Sequence, residues 1–304
     1  MKIVESDMLG ADDFRAFYNS RIGTLPHRYP VSRHEFEWGC IHKPFDEQPY
    51  TNLGTEQFLC AVEGEEILGI AHVSVAEEEA GRIGQIRYLD FVPGHRRIGQ
   101  ELLVSAEARL TDVETIRAFC PDYLYRFFFN CYGLPDKWLH VTSILGLNGY
   151  SVSRREILLV QEGGIAPSQL DPPEKVGRIE WETTESRGRT SGLNLRVYDH
   201  ADEVIGVCYT RAGSHFQLNK AAERVCFVAW LNVRDALRGL GWGRFIFLTT
   251  LNEIKQRGFT TVLISTNEKN HRAQAFYANY GFSMVETLSE FSKGLSAPRT
   301  SDGR

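Results

Sequence analysis

Arg238-Gly239-Leu240-Gly241-Trp242-Gly243 is the stretch that decides the fold. An apolar, strand-like run, Val225 to Val233, precedes it, and a helical pattern, Arg244 to Arg257, follows. A strand that feeds a glycine-rich turn and then a helix builds an anion cradle. The first N–H groups of a helix have no partner within the helix, and the helix dipole adds partial positive charge there. Glycine lets a phosphate approach the backbone closely, because no Cβ intrudes.

Working outward, the pattern around this loop occurs twice. In the second half, a hairpin pattern, GLNLRVYDHADEVIGVCYT, turns at Asp199–Asp202 and leads to the strand ending at Val233. After the loop come a helix to about Gly258, a strand Thr260–Thr266, a helix Arg272–Asn279 and a strand Ser283–Phe291. The first half opens with helical patterns at Ala11–Ser20 and Ser32–Ile41. A hairpin with Glu63-Gly64-Glu65 at its turn follows, then a strand Gln85–Val92, the segment PGHRRIGQ and a helix Glu101–Leu110. A strand at Tyr123–Phe129, a helix at Lys137–Leu147 and a strand at Ser151–Val160 complete it. FVPGHRRIGQE (91–101) aligns with VRDALRGLGWG (233–243), and LHVTSILGLNGY (139–150) with HRAQAFYANYGF (271–282). The second copy lacks the two opening helices, so one side of its cleft is expected to need covering, with the first copy as the natural candidate. The expected division is a domain over 1–162, a linker over 163–178 rich in Gly and Pro, a second domain over 179–295 and a flexible tail over 296–304.

The 304 residues are ample for two domains. A formal net charge of −5 does not favour nucleic acid as a partner. No apolar run is long enough to span a membrane, and the acidic N-terminal stretch does not read as a signal peptide, so a cytoplasmic location is expected. The six cysteines show no CxxC spacing, and reduced, buried thiols are expected rather than disulfides or a metal site. A monomer or a homodimer is expected.

With the loop, its flanking elements and the repeat in hand, the chain resembles the GNAT N-acetyltransferase superfamily. Val233, Arg238, Gly241 and Gly243 fit that family's cofactor motif, Gln/Arg-x-x-Gly-x-Gly/Ala with a Val five residues earlier. Asn270, Ala273, Tyr277, Gly281 and Phe282 fit its second signature. The resemblance covers residues 190–292 well and 55–160 weakly. It implies an α/β (α+β) chain of two tandem GNAT domains, each a mixed, mostly antiparallel twisted sheet flanked by helices. The two-domain order is similar to that of mycothiol synthase, whose C-terminal copy is the active one.

The resemblance also implies a reaction: transfer of acetyl from acetyl-CoA to a primary amine by direct attack. The N–H groups of Gly239, Leu240, Gly241, Trp242, Gly243 and Arg244 would hold the pyrophosphate, with Arg238 and Arg244 adding charge. Leu231 and Val233 would pair with the pantetheine arm in strand fashion, the N–H of Leu231 serving the oxyanion. Tyr277 holds the position from which the family protonates the departing thiolate. Asn270 is expected to reach the cofactor arm, to cap a helix, or both. Glu223 is the candidate base for the amine, directly or through water; the other reading is a solvated strand-end carboxylate. His215 is an alternative base, or a surface loop histidine. Trp242 either flanks the nucleotide or packs.

In the first copy the pattern decays. Glu101 occupies the second glycine position and Leu145 the tyrosine position. A carboxylate in the first helical turn would repel a pyrophosphate, so this copy is expected to be non-catalytic: a scaffold, or part of the acceptor pocket. Acceptor contacts are expected from Arg15–Pro49 and Arg211–Lys220, the former with a cluster of Arg21, His27, Arg28, Arg33 and His34 that meets an acidic acceptor or forms a solvated basic face. Two other functions compete: an acyl-CoA-binding or sensing protein without turnover, and an acyltransferase acting on protein amines.

Overall fold

Alternation of apolar residues sets the strands, and two of them carry the chain from one compact unit into another. The computed structural model describes residues 2–6, 11–43, 48–54, 56–79, 81–125, 127, 133–163, 171–174, 176–184 and 186–295. Unit 1 comprises residues up to Glu156 together with the segment from Glu286 onward, and unit 2 spans Ile157–Val285. The sequence placed the cuts elsewhere, at 162 and 179, and kept the last strand whole in the second domain. In the structure that strand is shared. The tail at 296–304, half of the linker, Cys131 and part of the Tyr123–Phe129 stretch lie outside the described residues.

Unit 1 contains β1 (Lys2–Ser6), α1 (Ala11–Ile22), α2 (Arg33–Ile41), β2 (Gln57–Glu63), β3 (Glu66–Glu78), β4 (Gly81–Phe91) and α3 (Arg96–Glu107). It continues with β5 (Thr115–Ala118), the two-residue β6 (Leu134–Pro135), α4 (Leu139–Leu147) and the first half of β7 (Ser151–Glu162). Helix α2 starts where the sequence signals it: Ser32 caps the N–H of Glu35, and Glu35 reaches back to the N–H of Ser32. Strands β1 to β4 pair antiparallel in order, and β4 pairs parallel with β5. One reading is corrected here. The strand of this region is the short Thr115–Ala118, not Tyr123–Phe129, of which the described part is a 3₁₀ turn, Pro121–Tyr123, and a bend. The aromatic residues there are buried, as a core strand would be: Tyr125 and Phe127 pack on Phe36 and Tyr18.

Unit 2 takes the second half of β7 and adds β8 (Arg178–Thr183), β9 (Leu193–Tyr198), β10 (Val204–Ala212), β11 (Val225–Val233), α5 (Trp242–Gln256), β12 (Thr261–Asn267), α6 (His271–Ala278) and β13 (Ser283–Gly294). Strands β8 to β11 pair antiparallel in order. The described residues between β8 and β9 form no helix, so the opening helices are indeed missing. Helix α5 lays Phe245, Ile246, Leu248 and Leu251 onto Leu195, Val197, Cys208 and Val228 of the sheet. Burial of each such side chain is worth roughly 1.5–3 kcal/mol. Most of β13, from Glu286 onward, belongs to unit 1 and pairs antiparallel with β5, Phe291 opposite Ala118. The five described cysteines, 40, 60, 120, 208 and 226, are buried and free. No helix among the described residues is long and apolar enough to cross a membrane.

The repeat is visible in a detail that the sequence does not announce. The β3–β4 register skips Arg87, and the β10–β11 register skips Ala229. Arg87 and Ala229 are aligned positions of the two copies, so each copy carries a β-bulge at the same place. A bulge bends its strand and re-aims the residues beyond it.

Candidate functional site

Strands β11 and β12 run parallel and pair only over Val225–Val228 and Thr261–Ile264. Beyond Val228 the bulge at Ala229 falls, and β11 continues to Val233 while β12 continues to Asn267 without further pairing to it. The two strands part into a wedge. The wedge is the floor of a cavity of about 640 Å³, within the usual size range of small-ligand sites. Val228 to Val233 form one wall and Ile264, Ser265 and Thr266 the other; Asn270, Arg272, Ala273, Phe276, Tyr277 and Tyr280 line it from α6, and the loop from Arg238 to Arg244 closes one end.

That loop gets its shape from two left-handed glycines, Gly239 (φ 84°) and Gly241 (φ 94°). A side chain at either would be strained. Gly241 is the N-cap of α5, and no side chain caps this helix. Its first N–H groups are therefore available to an anion at the mouth of the cavity. A Cβ at Gly243 would lie 3.8 Å from Val233 Cγ2 and 4.0 Å from Phe276 Cε2, both cavity walls. The glycine keeps that passage clear. Arg238 is less free than the sequence implies. Its Nε donates to the Val233 carbonyl at 3.1 Å, and its Nη2 to Asn232 at 3.2 Å and to Asp235 at 2.6 Å. It staples the loop to the end of β11 as well as lining the cavity.

Tyr277 sits on α6 with its ring against Phe247, Phe276 and Phe282, and is 7% exposed. Burial, with a smaller push from Cys208, raises its phenol well above the ordinary value. The hydroxyl keeps its proton across the physiological range, as a proton donor must. Asn270 is a helix cap: its side-chain oxygen accepts from the N–H of Ala273 at 3.1 Å at the start of α6, and the residue also lines the cavity.

Residues 162–282 match the Acetyltransferase (GNAT) family. This part of the chain is a GNAT acetyltransferase domain. No curated protein sequence matches the chain. Solved structures extend the likeness in fold over both units. A tandem GNAT protein from the clavulanic acid biosynthesis pathway is 13% identical with a TM-score of 0.67, the match covering 98% of this chain and all of that one. A GCN5-related glucosamine N-acetyltransferase region of a fungal multi-domain GH3 β-N-acetylglucosaminidase is 15% identical with a TM-score of 0.66; the match covers 96% of this chain but only 38% of that one. A GCN5-related N-acetyltransferase from Sphaerobacter thermophilus is 12% identical with a TM-score of 0.59, over 96% and 95% of the two chains. The chain thus has the tandem GNAT fold.

Within the GNAT domain, Leu231, Val233, Arg238, Gly239, Gly241, Gly243, Arg244, Asn270 and Tyr277 converge on one cavity. Leu240 is exposed beside it, and Trp242 is core, 2% exposed and edge-on to Phe245. Glu223 precedes β11 in a 3₁₀ turn, five residues before the wedge opens, and does not line the cavity. His215 is buried beside Phe216, not a surface loop histidine, and does not line it either. The sequence reading missed Trp230, Ser265, Thr266, Phe276 and Tyr280. Phe276 and Tyr280 flank Tyr277 on the same helix, and their aromatic character was the available signal.

In the first copy the parallel strands part at the aligned place, β4 and β5 pairing only over Ile83–Ile86 and Thr115–Ala118, but the space between them is filled. Its helix α3 begins at Arg96, the counterpart of Arg238, four residues earlier than α5 begins in alignment. Gly99, aligned with Gly241, is helical, and the Phe91 ring lies 2.3 Å from where its Cβ would be. Glu101 is therefore in the second turn, not the first, where it pairs with Arg97 at 2.7 Å. Residues Arg87 to Phe91, aligned with Ala229 to Val233 that line the cavity, are all buried. The basic cluster of the opening helices is dispersed into ion pairs: Arg21 with Asp90, Arg28 with Glu286, Arg33 with Asp12 and Glu37.

Proposed function

We propose that the protein is an acetyl-CoA-dependent N-acetyltransferase whose chemistry resides in the second unit and whose acceptor is a primary amine of a small molecule. The observation that carries this is the wedge of β11 and β12, closed at one end by an uncapped, glycine-gated helix N-terminus and flanked by a phenol that keeps its proton. The free N–H groups of Gly243 and Arg244 and the clearance at Gly243 fit a pyrophosphate. The edge of β11 that β12 leaves unpaired beyond Val228 offers strand hydrogen bonds to the amides of a pantetheine arm. The amine nitrogen bonds to the acetyl carbon as the C–S bond breaks. Tyr277 gives its proton to the leaving thiolate. The proton shed by the nitrogen passes to water, and Glu223, set back from the cavity, serves only through such water.

Thiol release from acetyl-CoA in the presence of a panel of primary amines tests this reading. Amine-dependent release is expected. Tight acetyl-CoA binding with no release for any amine would favour an acyl-CoA sensor instead.

A further inference from the structure

Around Trp230, the sheet face of unit 2 opposite α5 is open where its counterpart in unit 1 is covered. Tyr88 in β4 is 1% exposed beneath Phe14 and Tyr18 of α1, whereas the aligned Trp230 in β11 is 58% exposed. Trp230 faces Tyr209 across the β10–β11 ladder, and Arg196 lies over the Tyr209 ring. Among the described residues, two arginines of this face, Arg196 and Arg178, are paired with carboxylates and Arg211 is not. Arg196 pairs with Glu182 at 3.3 Å, and Arg178 with Glu180 at 3.0 Å and Asp202 at 2.9 Å.

Arg211 is the exception. It is half-buried, and no carboxylate among the described residues lies within ion-pair distance of it. Its two hydrogen bonds, to Asn194 at 3.2 Å and to the Thr210 carbonyl at 2.9 Å, both use Nη1. The Nε–Nη2 edge, which can bind a carboxylate with two parallel hydrogen bonds, is left over. Burial lowers the Arg211 pKa against the pull of Glu182, which lies beyond ion-pair distance, so a carboxylate held directly on the guanidinium would be favourable. Its place is specific. Arg211 is paired in register with Phe227, the residue before the wedge opens at Val228. Two residues of strand, roughly 7 Å, separate Phe227 from the bulge at Ala229.

We propose that Arg211 anchors a carboxylate on the acceptor, so that the acceptors are amino acids or similar amines bearing a carboxylate, with their apolar part against Trp230 and Tyr209. This rests on the transfer reading above, and the experiment separates the two. Free amino acids and their methyl esters, which keep the amine and lose the anion, are compared by thiol release and by calorimetric binding in the presence of CoA. The free acids are expected to be preferred, with a KM lower by roughly ten- to a hundredfold, the usual reach of a charge-assisted hydrogen bond. Arg211→Gln is expected to abolish that preference and Arg211→Lys to restore part of it, while acetyl-CoA affinity stays within about twofold. Arg196→Gln, on the same face but paired, should leave the preference in place. Retained acetyl-CoA binding reports that each variant is folded. Turnover indifferent to the ester and to Arg211→Gln would sink the carboxylate site and leave the transfer reading standing. Carboxylate binding that needs Arg211 but leads to no turnover would do the reverse. Neither binding nor turnover with any amino acid would overturn the proposal.

Discussion

Tyr277 carries two separable duties. Its ring packs among Phe247, Phe276 and Phe282, and the residue lines the cavity where its hydroxyl would serve the leaving thiolate. Tyr277→Phe keeps the first and deletes the second. Turnover should fall by roughly 10²–10⁴-fold, with acetyl-CoA affinity nearly unchanged. An unchanged kcat would remove the phenol from the reaction. Because burial raises the phenol above its ordinary value, the tyrosine should impose no basic limb on the pH–rate profile below about pH 10. A loss of rate with an apparent pKa near 8 or 9 that vanishes in the Phe variant would contradict this. At this scale the sequence was most readable at the glycines and the tyrosine, whose chemistry is local. It was least readable for Trp230 and Arg211. Their significance lies in what does not cover or pair with them, and absence of a partner leaves no mark in one dimension.

The elements at the cavity depend on two termini. At the N-terminus of α5, Gly241 holds φ 94° with Pro173 Cγ 3.3 Å from where a Cβ would stand. Gly241→Ala should cost on the order of 1–2 kcal/mol and weaken acetyl-CoA binding, because the strain falls on the residues that present the free N–H groups. Thermal melting and calorimetry together check this; a variant with unaltered affinity would mean that the loop is not the phosphate site. At α6, Asn270→Ala should lower stability by about 1 kcal/mol through loss of the cap. Asn270→Ser should restore the melting temperature but not the full acetyl-CoA affinity, if the amide also meets the cofactor arm. Full recovery of both would reduce Asn270 to a cap. Helices with clear caps and strands with clean alternation were legible to within a few residues. Thr115–Ala118 was not, since four residues with an arginine among them carry almost no periodic signal. The aromatic run after it imitates a core strand by composition alone. The start of α3 was misjudged because the glycine spacing looks like a loop, whereas Phe91 occupies the space beside Gly99 and the segment is helical.

Across the whole molecule, the chain does not divide at its linker. Strand β7 is divided between the units and most of β13 lies in the first, so the last described residues help to build the first domain. Repeated patterns reveal that there are two copies but not that their final strands are shared, because pairing partners are long-range. The buried ion pair of Arg28 and Glu286 joins the returning strand to the loop before α2. Burial raises the Glu286 carboxyl above its ordinary value, against the pull of Arg28. Arg28→Leu should therefore destabilise the protein by roughly 3–5 kcal/mol at neutral pH, leaving a charge buried alone. The folded state of the variant takes up a proton more readily than the unfolded chain, so the neutral carboxyl's contribution is complete below the unfolded value and lost as pH rises through the folded one. The deficit should shrink between pH 7 and pH 5; a deficit that grows on acidification would refute the assignment. The central claim concerns the asymmetry of the two units, one with an open wedge and one with its counterpart filled. Calorimetric titration with acetyl-CoA tests it most directly. One site per chain is expected, lost in Gly243→Glu, which places in unit 2 the residue found at Glu101 in unit 1. Two sites per chain, or one site that survives Gly243→Glu, would contradict it.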